Sequence, residues 1–209
     1  MDPYERSDVG SCGLQITKLG LGGAAIGGLY TDVSKEDAID TVLRGLNLGI
    51  SYVDTAPYYG LGKSEQLMGQ ALANVARDEF VLSTKVGRVI KSVKSPQESE
   101  IWADLPPVDF DYDYSRDGVM RSVEDSLERL KLDRIDILLN HVPDEYLSQS
   151  KEAYDTLIDL RSQGVVKAIG VGMDSPEGPL EIIQEYDIDC ILLAGRYTLL
   201  DQSGLVSLL

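Results

Sequence analysis

Two hydrophobic periods take turns along the chain. Short apolar runs at residues 19–23, 50–54, 80–85, 135–140, 168–172 and 188–194 have the length of buried strands. Between them the apolar positions move to helical spacing. Ala38, Val42 and Leu46 fall at i, i+4 and i+8; Leu67, Met68, Ala71, Leu72 and Val75 share one face, as do Val119, Val123, Leu127 and Leu130. The pattern predicts helices over 34–49, 64–76, 118–131 and 150–163, another opening at Ser175, and the start of one more at 203–209. End signals agree: Ser34 is an N-cap residue, Gly49 and Gly164 suit positions just past a helix, and Ser175-Pro176 follows the N-cap and N1 order.

Strands that alternate with helices imply crossover connections and a parallel sheet, hence an α/β fold, and the length suits one domain over residues 1–209. Two architectures carry such units: an open doubly wound sheet, or a TIM (β/α)8-type barrel, incomplete at about six of eight strand–helix units. Gly20-Leu-Gly22-Gly-Ala-Ala25 fits a dinucleotide-binding G-x-G-x-x-A. However, Gly27 and Gly28 would fall inside the helix that this fingerprint requires, and helix signals begin only at Ser34. Asp54 also stands thirty-four residues past Gly20, where about twenty is expected of the ribose carboxylate. The barrel is therefore the expected fold.

A barrel gathers its chemistry at the C-terminal ends of its strands. The stretch SYVDTAPYYG, residues 51–60, ends a strand at Asp54, breaks at Pro57 and places Tyr59 in the loop; the third strand ends at Lys85, and the fourth is followed at once by His141. Each residue alone has an ordinary structural account, such as a loop-capping carboxylate or a core histidine. Together, acid, phenol, amine and imidazole at consecutive strand ends form a proton-transfer constellation.

Composition narrows the partners. Thirty-five acidic against nineteen basic residues give a net charge of −16, which disfavours nucleic acid and anionic membrane surfaces. No run approaches a membrane span and the N-terminus has no apolar targeting core, so a cytoplasmic protein is expected. One histidine and two scattered cysteines, Cys12 and Cys190, cannot assemble the usual zinc sets, so no metal site is expected and the thiols are expected to be reduced.

The motifs DTAPYYG, STKVG and ILLNH resemble the aldo-keto reductase superfamily. Its tetrad of Asp, Tyr, Lys and His maps onto Asp54, Tyr59, Lys85 and His141. LGLGGAAIGGLY, GLGKSEQLMGQAL and GRYTLLDQ are similar to the branch that holds D-threo-aldose (L-fucose) 1-dehydrogenases and pyridoxal 4-dehydrogenases. The resemblance implies an NAD- or NADP-dependent oxidoreductase acting on an aldose or a small aldehyde or alcohol, with Tyr59 as general acid or base. Lys85 would favour the phenolate, Asp54 would hold Lys85 charged, and His141 would orient the substrate oxygen. It also implies cofactor contacts at Gly23, Ala24, Asp54 and Asp174, the last standing where the superfamily commonly has Asn. Superfamily members have eight strand–helix units, so the chain reads as C-terminally truncated, with unpaired barrel edges open to self-association. The alternative expectation is an inactive aldo-keto reductase-like module or fragment acting through protein partners.

Residues 87–117 interrupt the alternation and are expected to be an irregular loop. Trp102, Phe110, Tyr112 and Tyr114 would make it either a wall over a polyol substrate or a plain cover for the barrel mouth.

Overall fold

The computed structural model describes residues 2–208 apart from residues 3 and 97. The chain opens with a β-hairpin, β1 (Arg6–Val9) antiparallel to β2 (Leu14–Thr17). Then come β3 (Gly20–Gly22), α1 (Lys35–Asn47), β4 (Tyr52–Asp54), α2 (Lys63–Leu72) and β5 (Val81–Val86). A second hairpin, β6 (Arg88–Ser92) and β7 (Val108–Tyr112), precedes α3 (Arg116–Leu130) and β8 (Ile137–His141). The remainder is α4 (Leu147–Ser150), α5 (Glu152–Ser162), β9 (Ala168–Met173), α6 (Glu177–Glu185), β10 (Cys190–Leu193) and α7 (Ser203–Ser207).

Strands β3, β4, β5, β8, β9 and β10 form one parallel sheet in chain order. A doubly wound sheet reverses direction part-way and puts helices on both faces. Here each new strand adds on the same side, and the two hydrophobic clusters separate the faces. Val53, Leu82, Leu138 and Ile169 pack into the large cluster with the helices, whereas Ile137, Leu139 and Ala168 meet the first hairpin through Val9 and Leu14. This is barrel topology, present as six curled strands of the eight in a (β/α)8 barrel, and β3 and β10 have no outer partner among the described residues.

The capping signals act as expected at Ser34, whose hydroxyl accepts from Asp37 N–H at 3.0 Å, and at Gly49, where φ is +94°. Several expectations need correction. Helix α3 starts before Gly118 because the Ser115 hydroxyl caps it, accepting from Gly118 N–H at 3.1 Å. Helix α2 ends at Leu72, short of 76, and Pro176, not Ser175, occupies the N-cap position of α6. Residues 87–117 are not structureless: they hold the β6–β7 hairpin, which leaves β5 through Gly87 at φ +97°. His141 is the last residue of β8 and does not follow it. The helix expected at 203–209 appears as α7, Ser203–Ser207, and residue 209 lies outside the described residues. No helix among the described residues is long and apolar enough to cross a membrane.

Candidate active site

Strand register builds the site. Successive residues of a strand point to opposite faces, so Tyr52 and Asp54 of β4, Ser83 and Lys85 of β5, and Leu139 and His141 of β8 share a parity and a face. That face is apolar at its lower level, where Tyr52 and Leu139 join the hairpin cluster, and polar at the strand ends.

Lys85 is only 1% exposed and is held on several sides. Its ammonium donates to both Asp54 oxygens, at 3.0 and 2.8 Å, and to the Thr55 carbonyl at 2.8 Å. Ser83 donates to Asp54 Oδ1 at 2.6 Å, so the carboxylate is fixed by two β5 side chains. Burial works against the ammonium, but the Asp54 charge and then Tyr59 oppose it, and the Lys85 pKa lies above the ordinary lysine value. The ammonium is 4.5 Å from the centre of the Tyr59 ring.

Tyr59 is presented by a tight loop. Its N–H bonds to the Ala56 carbonyl at 3.1 Å, and the next three residues all take positive φ. Gly60 is required there, since a Cβ would lie 2.1 Å from the Gly27 carbonyl oxygen. The Tyr59 ring meets His141 edge to face, with centroids 6.1 Å apart.

His141 carries an unpartnered, buried Nδ1. Burial first, then the positive charges of Arg88 and Lys85, push its pKa well below the usual imidazole value, so the ring is neutral at physiological pH. Its backbone carbonyl accepts from the Tyr114 hydroxyl at 3.2 Å.

Tyr59, Lys85, Arg88 and His141 line one pocket of about 180 Å³, together with Gly172 and Asp174 at the end of β9. Three of the four tetrad residues thus open on common space, with Asp54 behind Lys85. Asp174 is exposed at this pocket and Ala194 lies at its rim past β10. Gly23 is placed differently. Its N–H already donates to the Asp54 carbonyl at 2.7 Å and its carbonyl accepts from Ser64 Oγ at 2.7 Å, so it ties β3 to β4 and α2. Ala24, next along, is half-buried and does not line the pocket.

The model of the aldo/keto reductase family matches residues 18–209. The chain belongs to the aldo/keto reductase family. Among its relatives, D-threo-aldose 1-dehydrogenase of Pseudomonas sp. is 39% identical over 95% of this chain and 63% of that protein. Pyridoxal 4-dehydrogenase of Microbacterium luteolum is 36% identical over 95% and 64%. Among solved structures, the holo form of an aldo-keto reductase from Bacillus halodurans aligns with a TM-score of 0.73 at 27% identity, covering 91% of this chain and 57% of that one. This aldo/keto reductase chain therefore spans a little under two thirds of the length of the curated relatives it matches.

Two features of this aldo/keto reductase site escape sequence reasoning. Ser83 bonds Asp54 from within STK, and only the strand parity that also selects Lys85 marks it. Arg88 reaches the pocket because the hairpin turns back after Gly87; its guanidinium lies 4.0 Å from the centre of the Tyr58 ring, and 5.3 and 5.6 Å from those of Tyr112 and Phe110. Tyr58 meets the rings of Trp102 and Phe110 edge-on at 5.4 and 5.1 Å, and Trp102, Phe110, Tyr112 and Tyr114 pack behind the pocket without lining it. Cys12 and Cys190 are both free thiols.

Proposed function

We propose that this chain carries the catalytic centre of an NAD(P)-dependent oxidoreductase that interconverts a carbonyl and an alcohol on an aldose or a small aldehyde. The single observation that supports this most is the buried Asp54–Lys85 pair in contact with Tyr59, beside a neutral His141 in the same pocket. The names of the two relatives point the same way.

The side chains of this pocket can move a proton and orient an oxygen, but none can take up a pair of electrons. That donor set fits a nicotinamide, which when bound supplies the hydride exchange. Asp174 would accept from an amide of such a group, and the small residues Gly172 and Ala194 leave room beside it. The rest of the chemistry belongs to the chain. In the reducing direction Tyr59 gives its hydroxyl proton to the carbonyl oxygen as charge develops there. Lys85, kept charged by Asp54, stabilises the phenolate left behind. His141, neutral, retains one N–H to donate to the same oxygen and fix its direction. Oxidation of an alcohol or lactol runs these proton steps in reverse.

The test is Tyr59→Phe, which removes the transferable proton and little volume. Turnover should fall by about a hundredfold or more while the thermal melt and cofactor binding stay near the parent values. Turnover close to that of the parent chain would end the assignment of Tyr59.

A second reading, work through association with another polypeptide, draws on the unpartnered edges β3 and β10 and on Leu199 and Leu200, 99% and 100% exposed just past β10. Sedimentation across a range of concentrations tests it, and a strictly monomeric chain counts against self-pairing.

A further inference from the structure

In a chain with sixteen more acidic than basic charges, an arginine beside the reacting groups has been left without a carboxylate. Arg88 forms no ion pair with any described residue; Arg6 and Arg44 share this but are exposed to solvent, whereas Arg77, Arg116, Arg121, Arg129, Arg134, Arg161 and Arg196 each meet an acid. Its Nε is buried and donates to nothing. The guanidinium is nevertheless held in place, since the rings of Tyr58, Phe110 and Tyr112 all lie within 5.6 Å of it. Arg88 is also a wall of the pocket that Tyr59 and His141 line. A planar fork of N–H donors that is pre-oriented, unsatisfied and turned to the reaction space is suited to oxygen atoms that arrive with a ligand.

We infer that Arg88 binds a second oxygen of the substrate, on the carbon next to the reacting carbonyl, and so selects α-hydroxy aldehydes and their cyclic lactols over plain aldehydes. The inference rests on the oxidoreductase reading above and narrows its substrate class. Tyr59 and His141 take the reacting oxygen, and Arg88 is the remaining donor of the pocket wall that has no partner within the protein. A substrate lacking the neighbouring oxygen leaves the guanidinium desolvated and unpaired, which is the situation in which polar sites discriminate most strongly. An apolar residue at position 88 could pack against the same three rings but could not make this distinction. The stacking also explains how a long, flexible side chain holds one orientation without a salt bridge.

The experiment compares glyceraldehyde with propanal, which differ at the carbon next to the aldehyde by a hydroxyl group and otherwise by the terminal hydroxyl alone. The quantity read is the ratio of their kcat/KM values with NADH and with NADPH, in the parent chain, in Arg88→Met and in Arg88→Lys. The parent should favour glyceraldehyde, and Arg88→Met should lower that ratio about tenfold or more. Arg88→Lys keeps the charge but loses the fork, and should also lower the ratio; it carries the test if the methionine variant does not fold. Because it is a ratio, a general loss of active protein leaves it unmoved. A ratio unchanged in both variants, or a parent that does not favour glyceraldehyde, overturns the role of Arg88 and leaves the oxidoreductase reading standing. A folded parent chain that turns over neither aldehyde with either cofactor overturns the reading beneath it as well.

Discussion

The Lys85 ammonium lies 2.8 Å from Asp54 Oδ2, with the lysine 1% and the aspartate 8% exposed. Removing one partner from such a pair strands a buried charge. Asp54→Asn should therefore cost about 3–5 kcal/mol of stability, which for a domain of this size lowers the melting temperature by roughly ten degrees. Replacing both, Asp54→Leu with Lys85→Met, should recover much of that loss and restore no activity, because the pair serves the reaction more than the fold. A single Asp54→Asn variant that melts with the parent would refute this view of the pair. The sign of the pH effect follows from the raised Lys85 pKa. Its contribution is complete below the ordinary lysine value and fades only as pH rises through the higher folded value, so urea titrations should show no loss from this pair between pH 6 and 9.

His141 contributes with the opposite sign. Its folded pKa is depressed by burial and by the charges of Arg88 and Lys85, so the unfolded chain takes up a proton near the ordinary value of 6.5 that the folded chain refuses. Stability should be full above that pH and decline as pH falls below it. His141→Gln, which cannot titrate, should flatten this part of the curve, and the comparison of urea midpoints at pH 7.5 and 5.5 checks it. The same depression predicts that kcat shows no imidazole limb near pH 6.5.

Gly87 decides where the second hairpin leaves the sheet. At φ +97° an alanine is strained, and its Cβ would sit 2.3 Å from Tyr114 Cε1. Gly87→Ala should destabilise the chain by more than the ordinary alanine gain of about 1 kcal/mol, and should displace Arg88 together with the Tyr114 hydroxyl that holds the His141 carbonyl. Equilibrium unfolding gives the first effect. A loss of substrate selectivity larger than the loss of folded protein gives the second.

Trp102, 6% exposed, packs against both Tyr58 and Tyr59. Trp102→Ala should cost about 3–5 kcal/mol as a large-to-small change and should raise KM by loosening the wall behind Tyr59. Trp102→Phe keeps most of the wall and should recover most of both. An alanine variant whose KM is unchanged would reduce the residue to a cover for the barrel mouth.

The fold was legible where one period repeats. The six parallel strands and their order follow from apolar runs between amphipathic helices; β4 ends at Asp54 as its run does, whereas β5 continues one residue past Lys85, to Val86. The hairpins were not legible, for identifiable reasons. RSDV is exposed at all but Val9, LQIT alternates over only four residues, and VDFDY, half-buried except at the exposed Asp111, reads as an acidic loop because of its two aspartates. Such half-exposed strands take their stability from cross-strand pairing, which a single sequence does not display. The start of α3 was missed for a similar reason: Gly118 looks like a boundary, but Ser115 supplies the cap three residues earlier. In the site, side chains at strand ends could be read from the sequence. Arg88 could not, because its place depends on the backbone reversal at Gly87.

The most direct test of the central claim follows the hydrogen itself. An aldose deuterated at C1 is incubated with the chain and NAD+ or NADP+, and the reduced cofactor is inspected by NMR for deuterium at C4. Label is expected on C4 with at least one cofactor from the parent chain, with a loss of about a hundredfold or more in the rate of transfer for Tyr59→Phe. No transfer from the folded parent chain with either cofactor, or transfer at the parent rate in Tyr59→Phe, would contradict it.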